Sequence, residues 1–490
     1  MKLHESENVI EKTGDARVER LGSETEIERF DIVGEASEIT KVATMAKEVS
    51  ERTDQSKAAD ASDATDASDD DPATSKPVIL VVHASVGSGH KSAAEAIAKA
   101  FDILEKEDGN EGFDGYDVRV LDILDFARVN LDGDSTASMF TGATRPFYDL
   151  TWRFTLTGRL LWGGGTGFDR IMFPKFVDYV REANPVAIVA THIVAANCAI
   201  GARMILHKEY PVVCVPTDYE VEGFWPHLYT DLFCVADQHM SETLRARKVE
   251  DERIRITGIP VSPEFSMVTS KEDARRRVCD KYGLESDRQI ALFLAGATLP
   301  RPYIHFRKTI DQLLPYMRTF DDMQMVIVAG KDRDYAARMR REVQELGLDN
   351  VVVLDYVDEM ADLMSAADLI VCKSGGLTVT ECLCVETPMI LVGRAYGQEK
   401  ANVTMLTSSG SSFHVTTYRE LRDLLQQINR YPQVTKAIQV NASLIKKPNA
   451  AMDIAEATIE LANRRREVLD PMLRKHFARF YWGHRPAHVR

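Results

Sequence analysis

The sequence lacks a long hydrophobic run, a cysteine framework and an excess of basic residues. Its longest apolar stretches, such as residues 78–82 and 290–295, fall far short of the ~18 residues that span a bilayer, which argues against an integral membrane protein. The seven cysteines are odd in number and scattered, and Cys382 and Cys384 lack the second pair that would complete a zinc site. With no hydrophobic signal stretch at the start, we expect reduced thiols and a cytoplasmic protein.

The formal net charge of −15 is unevenly distributed. Residues 1–76 hold 20 acidic and 10 basic residues, whereas residues 464–490 hold eight basic and two acidic ones. An acidic total argues against a general nucleic-acid partner, while a local basic patch suits an anionic lipid surface.

The pattern along the chain predicts three kinds of segment. Residues 57–75 are nearly all Ala, Asp, Ser and Thr, too polar to offset chain entropy, so we expect residues 1–76 to form a disordered acidic tail. Beyond it, continuous apolar strands alternate with helical patterns, as in parallel sheets covered on both faces. Strands are predicted at residues 78–82, 116–122, 186–191, 212–216, 232–236 and 254–257, and again at 290–295, 324–329, 351–354, 369–372 and 389–392.

These two series of strands predict an α/β fold of two Rossmann-like, doubly wound domains, residues 77–257 and 258–435, that face each other across a cleft. We expect residues 436–490 to form C-terminal helices that cross back to the first domain. Ligands of such sheets bind beyond the carboxyl ends of the strands, so the loops there carry the chemistry.

The loop after the first strand contains Gly87, Ser88, Gly89 and His90. The glycines allow a sharp turn, and the helix start behind them offers N–H groups to an anion. The loop is not a P-loop, because His90 separates the glycine from the Lys-Ser pair. A neutral imidazole at the mouth of a helix could accept a proton from a hydroxyl group. The alternative is a tight strand–helix turn with an incidental histidine.

Two further loops belong to the second domain. In residues 373–381, two glycines at a helix start, with the Ser374 and Thr378 hydroxyls, suit a phosphate. Glu381 is expected on the same helical face, where its carboxylate could bind ribose hydroxyls; the alternative is a capped helix with a solvated Glu. In residues 393–402, Gln398 and Glu399 follow a strand and could bind sugar hydroxyls.

Two aromatic and arginine-rich segments suit the bilayer interface. Residues 141–168 contain Trp152 and Trp162, and residues 464–482 are similarly basic and aromatic. The alternatives are an aromatic helix pair that closes the first domain and a terminal helix that packs back onto it.

The motifs in this order resemble the glycosyltransferases that make monogalactosyl- and monoglucosyl-diacylglycerol and, more distantly, the N-acetylglucosaminyl transferase that completes the lipid-linked peptidoglycan precursor. The resemblance extends over roughly residues 77–430. It is carried by residues 85–96, 217–219, 224–227, 258–261, 373–381 and 397–402.

The resemblance implies a GT-B fold, with the UDP-sugar in the second domain and the acceptor in the first. It implies that Glu381 holds the uridine ribose and that His90 lies near the acceptor hydroxyl. Asp218 is a candidate to orient or assist His90; the alternative is a purely structural residue at a strand end. The other donor-binding residues that it implies are Gly296, Tyr356 and Val357 (near the uracil), Lys373, Ser374, Gly375, Gly376 and Thr378 (diphosphate turn), and Gln398 and Glu399 (hexose). On the acceptor or lipid side it implies Gly87, Ser88, Gly89, Trp152 and Trp162.

The chain departs from the family pattern in two places. Residues 296–302 contain two prolines where relatives carry more glycines, and a proline-rich loop offers fewer N–H donors to a diphosphate. Residues 220–222 read Glu-Val-Glu where many relatives have a histidine.

The resemblance implies an inverting enzyme, peripherally attached to the inner face of the cell membrane, that moves glucose or galactose from a UDP-hexose to diacylglycerol. We expect no metal and no cofactor other than the donor substrate. Three alternatives stay open: another lipid-linked acceptor, a non-catalytic UDP-sugar-binding regulator whose acidic tail binds partners, and a nucleotide-sugar epimerase that acts on the donor alone. The altered loop at residues 296–302 favours the regulator.

Overall fold

The computed structural model describes residues 76–107, 115–128, 173–221, 225–268, 270–296, 302–395 and 397–464. The predicted acidic tail, the segment with Trp152 and Trp162, and the basic tail beyond Arg464 lie outside the described residues.

The first domain is built on a parallel sheet that has six strands in the described part of the chain. The sheet order is β2-β1-β3-β4-β5-β6. The residues of β3 and β5 are all buried, as expected for strands covered by helices on both faces. The strands are β1 (Val78–His83), β2 (Asp117–Asp122), β3 (Ala187–Ala190), β4 (Val212–Cys214), β5 (Leu232–Val235) and β6 (Ile254–Ile256).

The second domain repeats this architecture, again with six parallel strands among the residues described, in the order β12-β11-β10-β7-β8-β9. The edge strand β12 was not predicted, because its burial is irregular and His414 is exposed. The strands are β7 (Gln289–Leu294), β8 (Met323–Val328), β9 (Val351–Leu354), β10 (Leu369–Cys372), β11 (Met389–Val392) and β12 (Ser412–Val415). The predicted α/β class with two doubly wound domains is confirmed.

Helices connect the strands and cover both sheets. The α-helices are α1 (Ser88–Glu107), α2 (Pro174–Ala183), α3 (Ile193–Leu206), α4 (Gln238–Ala246), α5 (Glu264–Met267), α6 (Lys271–Tyr282), α7 (Pro302–Leu313), α8 (Arg333–Glu345), α9 (Met360–Ala366), α10 (Gly376–Cys384), α11 (Glu399–Ser408), α12 (Tyr418–Arg430), α13 (Lys436–Ile445) and α14 (Ala450–Asn463). Short 3-10 helices lie at Ile123–Phe126, Asp251–Arg253, Leu314–Thr319 and Pro432–Thr435.

Many of these helices begin where a short polar side chain can cap them. Ser270, Asp332 and Thr417 each accept a hydrogen bond from the backbone N–H three residues later, at the starts of α6, α8 and α12. Such caps satisfy one of the backbone donors that the first turn leaves unpaired. Local sequence thus sets these helix starts.

The last described helix, α14, returns to the first domain. Its residues Ala451 and Ile454 are buried in one cluster with Ile79 and Val81 of β1. At the surface, Arg255 Nη2 lies 2.9 Å from Glu460 Oε2. The helix therefore covers one face of the first sheet although it follows the second sheet in sequence.

Within the described ranges, no helix is both long enough and apolar enough to cross a membrane.

A buried ion pair links α3 to the loops that flank β4 and β5. The Arg203 side chain is 1% exposed, and its Nη1 lies 2.5 Å from Asp231 Oδ2. Arg203 also donates to the carbonyls of Tyr210 and Tyr229, and Asp231 accepts the Val212 N–H at 2.7 Å. The guanidinium is therefore desolvated, and both of its terminal nitrogens donate to protein acceptors.

We predict that Asp231→Ala lowers the free energy of unfolding by about 3 kcal/mol, because it leaves the buried Arg203 charge without its counter-ion. Urea denaturation followed by circular dichroism measures this change. In the control Asp178→Ala, which removes an exposed partner of Arg181, the loss should stay within ~1 kcal/mol. Equal losses in the two variants would contradict the prediction.

Candidate functional site

Loops at the carboxyl ends of both sheets meet at one place. The first domain contributes the turns after β1, β3 and β4, and the second contributes the turns after β10 and β11. This is the edge at which parallel α/β sheets bind ligands.

His90, in the first turn of α1, is held at one ring nitrogen. Its Nδ1 lies 2.9 Å from the Thr191 carbonyl oxygen and 2.9 Å from Thr217 Oγ1. The Thr191 hydroxyl in turn donates to the His90 carbonyl at 2.9 Å. Because a carbonyl can only accept, the neutral ring carries its proton on Nδ1, and the Nε2 lone pair is left to accept a proton. The arrangement suits a general base.

The surroundings of His90 favour the neutral imidazole. Burial holds the pKa of His90 below its ordinary value, and the nearby carboxylate of Asp218 opposes this effect. The His192 ring meets the His90 ring edge-on, with centroids 4.6 Å apart, and burial places the pKa of His192 well below its usual range. A neutral His90 at pH 7 can accept a proton at once.

Sequence reasoning missed His83 and His192 as neighbours of His90. His83 is the last residue of β1, and His192 follows β3, where its Nδ1 accepts the Val194 N–H and caps α3. Both positions lie at the carboxyl ends of adjacent strands, which is the signal that could have found them.

Asn402 of α11 connects the two domains. Its Oδ1 accepts the Tyr219 N–H at 2.8 Å, and its Nδ2 donates to Asp218 Oδ1 and to the Ser374 carbonyl, both at 2.8 Å. Asn402 is the last residue of the motif at residues 397–402, and nothing in that motif indicates its role between the domains.

At Gly376 the backbones of the two domains approach each other closely. A Cβ atom at this position would lie 2.0 Å from the Thr217 carbonyl oxygen and 2.9 Å from Asp218 Oδ1. No larger residue fits without moving backbone, so glycine is required here by the neighbouring domain. The turn predicted to bind the diphosphate therefore adjoins the loop that holds His90.

The same turn leaves the start of α10 open to an anion. Gly375 occupies the N-cap position and no side chain caps the helix, so backbone N–H groups of the first turn are available for a phosphate. Ser374 lies before the helix, so the prediction that it shares a helical face with Glu381 was wrong. Thr378 and Glu381, three residues apart, lie within α10.

Glu381 is the carboxyl group that the resemblance places at the ribose. Burial raises its pKa to about 7, because a carboxylate removed from water is destabilised relative to the neutral acid. Hydrogen bonds from ribose hydroxyls would favour the ionised form. Its protonation is therefore sensitive to a bound ligand near neutral pH.

Lys373 and Glu399 tie the two donor-side loops together. Lys373 Nζ lies 2.7 Å from Glu399 Oε1, with the side chains 12% and 26% exposed. Gln398 immediately precedes α11 and is partly exposed. The pair places an ammonium group next to the diphosphate turn and a carboxylate next to the predicted hexose position.

The remaining predicted residues lie at other strand ends. In the turn after β1, Gly87 has a φ of 91°, and Ser88 and Gly89 begin α1. Gly296 packs on Gly330, since an added Cβ would lie 2.9 Å from the Gly330 Cα. After β9, Tyr356 is exposed, with Lys331 Nζ 5.1 Å from its ring centroid, whereas Val357 is buried.

Comparison with known proteins matches two successive segments of the chain to known families. Residues 90–261 match the monogalactosyldiacylglycerol (MGDG) synthase family, and residues 305–458 match the glycosyltransferase family 28 C-terminal domain.

Three curated relatives are processive diacylglycerol beta-glucosyltransferases. The Bacillus licheniformis protein is 25% identical over 54% of this chain and 68% of its own length. The Bacillus subtilis protein is 29% identical over 43% of this chain and 52% of its own length. The Bacillus cytotoxicus protein is 24% identical over 78% of this chain and 94% of its own length.

Solved structures share the fold. The S. aureus MnaA–UDP complex superposes with a TM-score of 0.51 at 12% identity, over 80% of this chain and 100% of that one. The UDP-GlcNAc 2-epimerase from Neisseria meningitidis, bound to UDP-GlcNAc, gives a TM-score of 0.50 at 13% identity, over 78% and 100% of the two chains.

The two family models follow each other in the order of the two sheets and together cover about two thirds of the chain. The predicted resemblance is confirmed: residues 90–261 belong to a monogalactosyldiacylglycerol synthase domain and residues 305–458 to a glycosyltransferase family 28 C-terminal domain.

Proposed function

We propose that the protein transfers a hexose from a UDP-sugar to the free hydroxyl of diacylglycerol. The observation that carries this proposal is the position of His90. Its ring presents a basic Nε2, and Thr217, which contacts its Nδ1, also lies against the diphosphate turn at Gly376. A base for the acceptor and an anion site for the leaving group are thus adjacent.

In the proposed reaction, the acceptor oxygen attacks the anomeric carbon of the hexose and forms the new C–O bond. The bond from that carbon to the UDP phosphate oxygen breaks, and UDP leaves with the electron pair. The acceptor proton passes to His90 Nε2. A single displacement of this kind inverts the anomeric centre.

The negative charge that develops on UDP meets the N-terminus of α10 and the ammonium group of Lys373. Both are held in place before the reaction, so they stabilise this charge without reorganisation. In this proposal no metal ion is needed, and EDTA should leave the rate unchanged.

The names of the relatives support the lipid acceptor, and the sequence supports a membrane surface as its location. The curated relatives are named for diacylglycerol and for glucose, which favours UDP-glucose as donor, whereas the first-domain family is named for a galactolipid. The aromatic and basic segments at residues 141–168 and 464–482 suit an anionic membrane surface. We therefore place the protein peripherally at the inner face of the cell membrane, without a nucleic-acid partner.

The first test is transfer by the purified protein from labelled UDP-glucose or UDP-galactose to vesicles with and without diacylglycerol and anionic lipid. We expect a chloroform-soluble labelled product, and a kcat lower by ~10²–10⁴ in His90→Ala, because general base catalysis is lost. His239→Ala, which removes an exposed histidine of α4, serves as the control with unchanged kcat.

Label that stays wholly in the aqueous phase would contradict the diacylglycerol proposal. Transfer to a polyprenyl-linked acceptor would then favour another lipid acceptor, and a change in the sugar without any lipid would favour an epimerase. Tight UDP binding without turnover would favour a regulator.

The second test is the pH dependence of donor binding. Because the pKa of Glu381 is raised to about 7, the carboxylate that accepts ribose hydrogen bonds becomes populated as the pH rises from 6 to 8. We predict that the affinity for UDP-glucose rises up to about tenfold over this range. Titration calorimetry measures it, with UDP-glucose rather than UDP because a terminal phosphate titrates nearby.

In Glu381→Gln, binding should be weaker and the rise with pH should be lost. Glu420→Gln is the matched control, since the pKa of Glu420 is lowered by hydrogen bonds from Thr416 and it does not titrate in this range. A rise that persists in Glu381→Gln would show that another group controls donor binding.

A further inference from the structure

Both N–H donors and the carbonyl oxygen of the Asn402 side-chain amide are hydrogen-bonded, although the residue is fully buried. A primary amide has two N–H donors and one carbonyl acceptor. Here the two donors go to Asp218 Oδ1 and the Ser374 carbonyl, and the acceptor receives the Tyr219 N–H, all at 2.8 Å. Each of these bonds is intact only while its partner stays in place.

The partners of Asn402 belong to different domains. Ser374 is part of the diphosphate turn of the second domain, whereas Asp218 and Tyr219 belong to the loop after β4 in the first. This junction has little freedom, because Gly376 contacts the Thr217 carbonyl without room for a Cβ atom. The Tyr219 hydroxyl also lies 3.4 Å from Thr380 Oγ1. The loop therefore has one well-defined position against α10.

This position determines what surrounds His90. Thr217 contacts the ring at Nδ1, and the carboxylate of Asp218 acts on it electrostatically. The other titratable groups near the ring are His83 of β1 and His192 before α3. On α1 itself, Lys91 and Glu95 pair with each other at 3.7 Å in an exposed position. Of these groups, Asp218 is the one on the loop that Asn402 holds.

We propose that Asn402 is a positioning residue that holds the loop of Thr217 and Asp218 against His90, so that this loop takes its place at the base only when the two domains are joined at the predicted diphosphate turn. This inference rests on the proposed function, in which His90 accepts the acceptor proton. The imidazolium that forms in that step is stabilised by a nearby carboxylate. Without Asn402, Asp218 loses the hydrogen bond that anchors it and stabilises the imidazolium less.

A double-mutant cycle tests whether Asn402 acts through Asp218. We expect Asn402→Ala and Asp218→Ala each to lower kcat at saturating donor by ~10-fold or more. The double variant should fall less than ~3-fold below the slower single variant, because effects that pass through one contact are not additive. Effects on kcat that multiply would overturn the proposal.

Two further variants separate positioning from folding. Asn402→Asp keeps the size of the side chain but places acceptors against Asp218 and the Ser374 carbonyl, so it should lower kcat as Asn402→Ala does. Asn350→Ala, the matched control, removes an amide that donates to the Met317 carbonyl at 2.9 Å elsewhere in the second domain. It should lower the Tm and leave kcat unchanged. An Asn402→Asp variant with wild-type kcat would also overturn the proposal.

The pKa of His90, read by NMR from histidine-labelled protein without substrate, gives an independent result. Because Asp218 raises this pKa, both Asn402→Ala and Asp218→Ala should lower it, and Asn350→Ala should not. A pKa that falls in Asp218→Ala but not in Asn402→Ala would refute the positioning role. This measurement needs no turnover, so a wild-type protein without transferase activity would refute the proposed function while the role of Asn402 is still decided.

Discussion

The contact between the Thr217 carbonyl and Gly376 constrains the rest of the site. At this contact the backbones of the two domains meet without an intervening side chain, so the loop after β4 and the start of α10 cannot move independently. On one side the loop contacts His90 through Thr217. On the other, the helix start presents uncapped backbone N–H groups that suit a diphosphate. The distance between His90 and the start of α10 is thereby set by backbone, which is stiffer than a pair of long side chains.

Burial shifts the pKa values of His90 and Glu381 in opposite directions. It lowers the pKa of His90 and raises that of Glu381 to about 7, since in both cases the low-dielectric surroundings disfavour the charged form. For His90 the result is a base that is ready to accept a proton. For Glu381 it is a carboxyl group whose ionisation depends on what it binds. One physical effect, burial, thus shifts the pKa values of both His90 and Glu381.

Much of the fold could be predicted from sequence, because buried parallel strands are continuous apolar runs and glycine turns mark their carboxyl ends. The edge strand β12 was missed because an edge strand needs no such run. The loops of the site were predicted, but their joint arrangement was not. Asn402 and Tyr219 are 183 residues apart and bond through one side-chain amide, and neither residue has a local pattern that indicates the other. The prediction that Ser374 and Glu381 share a helical face was wrong, because the helix begins two residues after Ser374.

The altered loop at residues 296–302 is the feature that most favoured a non-catalytic regulator, and its first residue, Gly296, has a packing role in the structure. Gly296 packs against the Gly330 backbone, so the glycine at the end of β7 is required for packing between neighbouring turns, whatever follows it. A regulator would need the anion site alone, yet the chain also fixes the tautomer of His90 with a carbonyl from Thr191 and holds the ring at Nδ1 with Thr217. A histidine whose Nε2 is left to accept a proton suits proton transfer, which favours the transferase over the regulator.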